Sequence, residues 1–222
     1  MKGVKIVDVA SMSTREINKI LRSSRGKIKL TNPNSTHFLA AGLSNSSTIE
    51  IEGSAGYYLG TCMDGPNIRV KGNAGWYAGD NMTAGKIKIE GSSGDGTGQG
   101  IYDGIVVVKG NSGSRTGQLM KGGTIVVGGN SGYMTGLYSF GGRIIVCGDV
   151  GHSVGESIIG GTIYVGGKIA SLGKNASRQK LTPDEYRSIN KLLTKFGLNA
   201  RRKFTKIISL KKRVYHIDIG EG

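Results

Sequence analysis

Cysteine, proline and aromatic residues are scarce in this chain, and each shortage removes a class of protein from consideration. The two cysteines, Cys62 and Cys147, lie far apart and make no CxxC or other metal-ligand spacing. A disulfide scaffold is excluded, and a reduced, cytoplasmic protein is expected. Three prolines in 222 residues argue against a collagen-like or Pro/Gly-rich disordered chain, despite 39 glycines. The histidines, His37, His152 and His216, are scattered and suggest no metal centre. No apolar run reaches the length of a signal-peptide core or a membrane-spanning helix, so no membrane association is expected.

What is plentiful is glycine, and it is periodic. One column runs Gly53, Gly72, Gly91, Gly110, Gly129, Gly148 and Gly167, each step being 19 residues. A second runs Gly56, Gly75, Gly94, Gly113, Gly132 and Gly151, and a third Gly60, Gly79, Gly98, Gly117, Gly136 and Gly155. A fourth begins one repeat later, with Gly85, Gly104, Gly123, Gly142 and Gly161. A fixed period near this length marks a solenoid whose units cannot bury their apolar face alone.

β-Branched aliphatics keep the same beat. Two positions before each first-column glycine stand Ile51, Val70, Ile89, Val108, Val127, Val146 and Val165. Four before it stand Ile49, Ile68, Ile87, Val106, Ile125, Ile144 and Ile163. Alternation at period two is the pattern of a strand facing inward. Glycines between such strands fit corners that need positive φ or close backbone approach. The fold class is therefore all-β: a single-stranded, right-handed β-helix of about seven 19-residue coils. Stacked at about 4.8 Å per coil, the array would span roughly 34 Å.

The flanks supply caps, as exposed solenoid ends require. Residues 1–29 read as a strand at Val4–Val9 and a helix opened by the capping box Ser13-Thr-Arg-Glu16 and running to about Arg22. Residues 30–173 are the β-helix, with 30–48 a degenerate first coil whose Asn34, His37 and Ala41 take the glycine positions. Residues 174–222 form a basic tail. Its helix starts at Thr182-Pro-Asp-Glu185 and stops at Gly197, with Tyr186, Ile189, Leu193 and Phe196 on one face; a short strand is expected over Arg213–Ile219.

The net charge of +15 is confined to these flanks. Residues 1–48 carry +6, residues 49–173 are neutral, and residues 174–222 carry +9. Basic runs at Arg201-Arg-Lys203 and Lys211-Lys-Arg213 suit phosphates or an acidic partner, and a nucleic-acid-binding solenoid is the alternative from a different function class. No nucleic-acid motif accompanies them.

Two motifs invite a catalytic reading. Gly151-His-Ser-Val-Gly155 matches the nucleophile elbow of hydrolases, which needs a helix after the turn. Here both glycines belong to the lattice and a strand-like segment follows. Gly94-Asp-Gly-Thr-Gly-Gln-Gly100 has neither the Walker ending nor the dinucleotide spacing. No catalytic, cofactor-binding or metal-binding residue is assigned to this chain. Between the inward aliphatics, the outward residues change from Glu50, Arg69 and Lys88 to Val107, Val126, Ile145 and Tyr164. Those four apolar positions imply a covered surface, beneath either the chain's own C-terminal helix or a partner. Tyr57, Tyr58, Trp76 and Tyr77 cluster on neighbouring corners and suit either a protein interface or packing beneath the N-terminal cap. Val107, Val126, Ile145, Tyr164, Tyr57 and Trp76 are thus the candidate interface residues.

The repeat Ile68-Arg-Val-Lys-Gly-Asn-Ala-Gly-Trp-Tyr-Ala-Gly79 resembles the GXGXG domain, which forms the C-terminal β-helix of the large glutamate synthase subunit and also occurs in one subunit of formylmethanofuran dehydrogenase. The segment Met12-Ser-Thr-Arg-Glu-Ile-Asn18 is similar to the one preceding the glutamate synthase β-helix. Val146-Cys-Gly-Asp149, Ile169-Ala-Ser-Leu-Gly173 and Arg213-Val-Tyr-His-Ile217 look most like stand-alone subunits of split, glutamate-synthase-like enzymes, N-methylglutamate synthase included. The resemblance implies a structural subunit without catalytic residues of its own. It further implies partner chains: a glutamine amidotransferase and an FMN-containing synthase, with any iron–sulfur centre also on a partner. The formylmethanofuran dehydrogenase role is the second expectation, and self-association is left open.

Overall fold

The computed structural model describes residues 3–199 and 203–210. In chain order its elements are β1 (Lys5–Asp8), α1 (Thr14–Ser23), β2 (Lys27–Thr31), β3 (Thr48–Ile51), β4 (Asp64–Val70), β5 (Ala84–Ile89), β6 (Ile105–Val108) and β7 (Thr124–Val127). There follow β8 (Phe140–Val146), β9 (Gly160–Val165), β10 (Ala176–Gln179), α2 (Pro183–Lys195) and β11 (Thr205–Ser209). All strands join one 11-stranded sheet in the order β1 to β9, then β11, then β10. β1 to β9 are mutually parallel, while β11 runs antiparallel between β9 and β10. The result is a β-solenoid of about eight turns.

Register follows the aliphatic columns. Ile49 pairs with Ile68, then Ile87, Val106, Ile125, Ile144 and Ile163, so one β-branched side chain stacks on the next through the interior. These residues are at most 1% exposed. Away from the sheet, the rest of each coil is held by backbone hydrogen bonds to its neighbour, such as Gly98 N–H to Ala78 C=O at 2.8 Å. A polar side-chain column reinforces these contacts. Ser54, Asn73, Ser92, Asn111, Asn130 and Asp149 each accept a hydrogen bond from the backbone N–H one coil later, at 2.7–3.0 Å.

Glycine is required for two different reasons. Gly98 has φ +66°, and a Cβ there would collide with the Ile125 side chain inside the coil. Gly72 instead lies so close to the preceding coil that a Cβ would stand 2.8 Å from the Gly53 carbonyl carbon. The first reason is conformational and the second is proximity.

The ends depart from the strict period. Lys5 pairs with Ile28, a step of 23 residues, and Ile28 with Ile49, a step of 21. The degenerate coil is therefore out of phase with a 19-residue lattice. The left-handed position matching Gly60 is Ala40 (φ 59°), not Ala41, and the one matching Tyr58 is Phe38 (φ 57°). The extra residues let α1 lie across the end: Asn18 donates to Phe38 C=O and accepts from Ala40 N–H, both at 2.8 Å. Both helices open with a complete capping box, Ser13/Glu16 and Thr182/Glu185. Gly197 (φ 70°) ends α2, where Leu198 N–H reaches back to Leu193 C=O at 2.9 Å. The strand expected over Arg213–Ile219 lies outside the described residues. β10 and β11 are not legible as strands in the sequence, and they close the C-terminal end.

Candidate functional site

The late half of the outer sheet face is covered by the chain itself. Val107, Val126 and Ile145 are fully buried and Tyr164 is 7% exposed, packed with Ile189, Leu193 and Phe196 of the α2 segment. Leu181, Leu192, Leu198 and Phe204 close the margins. Four of the six candidate interface residues are therefore core residues of a second apolar cluster, unavailable to a partner. The reason is connectivity: the chain leaves the sheet from β10 and returns as β11 between β9 and β10, which lays α2 over β6–β9. Tyr186, expected on the apolar face of α2, is instead 37% exposed.

A polar clasp fixes the excursion. The Tyr164 hydroxyl donates to Glu185 Oε1 at 2.9 Å, and Lys206 Nζ lies 2.7 Å from the same oxygen. Burial pushes the Tyr164 phenol up to about 12, with Glu185 adding to the shift. Burial also works to raise Glu185, but Lys206, the Thr182 N–H and Tyr164 outweigh it and hold the carboxyl at about 2.

Tyr57 and Trp76 behave differently. They are 38% and 48% exposed and lie outside the N-terminal cap, not beneath it. His37, Tyr57 and Trp76 form one stacked row, with centroids 4.5 and 4.9 Å apart. Phe38, Tyr58 and Tyr77 form a second at 4.9 Å spacing. Coil stacking near 4.8 Å brings equivalent residues to ring-stacking distance, so a repeated aromatic becomes a ladder. A shallow groove of about 320 Å³ runs beside the first ladder, lined by Ser35, Ser54, Asn73 and their neighbours.

Residues 9–196, which span the lattice and most of both helical caps, match the model of the GXGXG motif family. This chain belongs to the GXGXG family. Among solved structures, one similar chain comes from the formyltransferase/hydrolase complex (FhcABCD) of Methylorubrum extorquens in complex with methylofuran. It is 24% identical, with a TM-score of 0.68, over 88% of this chain and 86% of that one. The likeness is one of fold. No curated protein matches the sequence.

Within this GXGXG chain the early outer face carries a ladder of charge. Arg69 bridges Glu50 and Glu90 at 3.6 and 2.8 Å, and Lys71 bridges Glu50 and Glu52 at 3.2 and 2.7 Å. Lys88 and Lys109 also meet Glu90. Lys71, foremost, holds Glu52 at about 2. Glu90 is held at about 2 although burial opposes it, because Lys109, Lys88 and Arg69 surround it.

Ser153 of the hydrolase-like motif sits in the lattice with φ 57°, and strand β9 follows it, not a helix. Its N–H donates to Ser171 Oγ at 2.9 Å. Among the described residues, no group of three His, Cys, Asp or Glu side chains could hold a metal ion, and no helix is long and apolar enough to cross a membrane. One feature has no signal in the aliphatic columns: a buried hydroxyl ladder inside the middle coils. Thr97, Thr116 and Thr135 bond Ser93, Ser112 and Ser131 at 2.7–2.9 Å, and Ser112 donates to Ser131 at 2.9 Å. These serines stand where other coils have Ala55, Ala74 and Val150, so a search for aliphatics passes over them.

Proposed function

We propose that this chain is a structural β-solenoid subunit of a multi-subunit, glutamate-synthase-like enzyme. The observation that carries the reading is how the side chains are used. Aliphatic and hydroxyl ladders fill the interior, polar columns join coil to coil, and six rings, from His37 and Phe38 to Trp76 and Tyr77, stand outside in two rows fit for protein contact. GXGXG membership supports the subunit role. On this reading a glutamine amidotransferase chain releases ammonia, and an FMN-containing synthase chain, with any iron–sulfur centre, delivers it to a 2-oxo acid or related acceptor. The solenoid holds those chains in fixed relation.

A second reading is favoured by the likeness to a chain of the formyltransferase/hydrolase complex over nearly its full length. On it, this chain is the equivalent of the GXGXG-bearing subunit of formylmethanofuran dehydrogenase. Gentle affinity purification from the source organism, with mass spectrometry and a flavin absorbance scan, separates the two. A yellow complex containing an amidotransferase chain is the expected result. A molybdopterin-carrying partner favours the second reading, and a colourless, solitary chain overturns both.

A further inference from the structure

The end of the solenoid capped by α1 carries two adjacent features that folding does not consume. The first is cationic. Arg15, Lys19 and Arg22 recur at i, i+4 and i+7 of α1 and are all exposed, which places them on one stripe of the helix. Among the described residues, none of the three has a carboxylate within ion-pair distance. Glu16, the one acid of α1, is occupied at the cap, where its Oε2 accepts from the Ser13 N–H at 2.8 Å and the Ser13 hydroxyl at 2.6 Å.

The second feature is aromatic, and the stripe borders it. Asn18 lies one helical turn from both Arg15 and Arg22 and binds Phe38 C=O and Ala40 N–H. Arg22 Nη2 reaches Ala41 C=O at 3.4 Å. Phe38 begins one ladder, and His37 beside it begins the other.

Ring geometry restricts what this surface recognises. Tyr57 and Tyr58 are stacked on both sides. Trp76 and Tyr77 rest on Gly94 and Gly96, where a Cβ would collide with the rings. From Tyr57 and Tyr58 onward the ladders therefore offer ring edges to solvent, not faces. A nucleic-acid base stacks on a face. A ring edge is the positive part of an aromatic quadrupole, so it attracts carboxylates as the neighbouring guanidinium groups do. The α1 cations and the ring edges beside them thus both attract a carboxylate.

We propose that α1 and the two aromatic ladders form the docking surface for an acidic segment of a partner protein. The proposal rests on the reading of the chain as a subunit. Trp76 is the chain's single tryptophan and lies in the surface, so it reports directly on occupancy. The first measurement is Trp76 emission of the full chain titrated with poly-L-glutamate and, separately, with oligo-deoxythymidine. Poly-L-glutamate is expected to shift the emission, and the triple variant Arg15→Glu/Lys19→Glu/Arg22→Glu to weaken that binding about tenfold or more. Tighter binding of the oligonucleotide, or an unaltered triple variant, overturns the proposal.

The second measurement is the pull-down from the source organism with wild type and triple variant side by side, their equal melting temperatures verified first. Partner chains retained by wild type and lost by the variant support the surface. Partners retained by both sink the surface while leaving the subunit reading intact. Partners absent from both sink the subunit reading and this proposal with it.

Discussion

Strands β3–β5 and β6–β9 share one register and one kind of interior, yet their outward residues have opposite character. On the early half, Glu50, Arg69 and Lys88 stand in a cross-strand ion-pair network open to water. On the late half, Val107, Val126, Ile145 and Tyr164 continue the same column beneath α2. The difference teaches that within these strands the repeat constrains the inward residue and not the outward one. The outside is free to follow whatever lies above it, and the sequence changes character where α2 arrives.

The sharpest way to break this comparison is to exchange character between halves. Ile145→Lys puts an ammonium under α2 with no partner, and should cost about 3–5 kcal/mol in chemical denaturation. The reverse exchange, Lys88→Val, removes an ion pair already near water and should cost less than about 1 kcal/mol. Equal losses would mean that the two halves are not energetically distinct. Next in size, Leu193→Ala empties the underside of α2, with an expected cost of about 2–4 kcal/mol. It should also speed proteolysis between residues 181 and 204 while the cleavage pattern of coils β2–β5 stays unchanged.

The polar clasp gives a smaller, pH-dependent effect. The folded Glu185 carboxyl is held at about 2, against an ordinary value of 4.5. A depressed carboxyl adds stability that is complete above about pH 5 and is lost as pH falls towards 2. Glu185→Gln should therefore flatten the wild-type decline in stability across that window, measured by denaturation at stepped pH. Smallest of all is Glu90→Gln on the open half, which should cost under about 1 kcal/mol and less still in concentrated salt. A salt-independent loss there would show that the early face is shielded from water.

Legibility in the sequence follows the same division. The solenoid, its aliphatic columns and both capping boxes are plain, because each obeys a local rule of spacing. The covered late face is visible as a run of four apolar residues, but which of two covers lies over it is not, since the contact between Val126 and α2 joins segments some sixty positions apart. β11 is hidden because its Thr205–Ser209 run is short and lies beside a basic stretch. The first coil reads one residue out of phase because Ala40 takes a backbone shape that glycine takes elsewhere. Tyr57 and Trp76 stand out in the sequence as surface aromatics, but their stacking into ladders requires knowing the distance between coils.

The polar column from Ser54 to Asp149 also has a defined end. Each rung offers an oxygen to the N–H of the next coil, and the last N–H so capped is that of Lys168. Lysine has three donors and no acceptor, so its own side chain cannot cap another turn. The column therefore ends at a residue incapable of offering a further rung, and beyond it the chain passes into β10, α2 and β11.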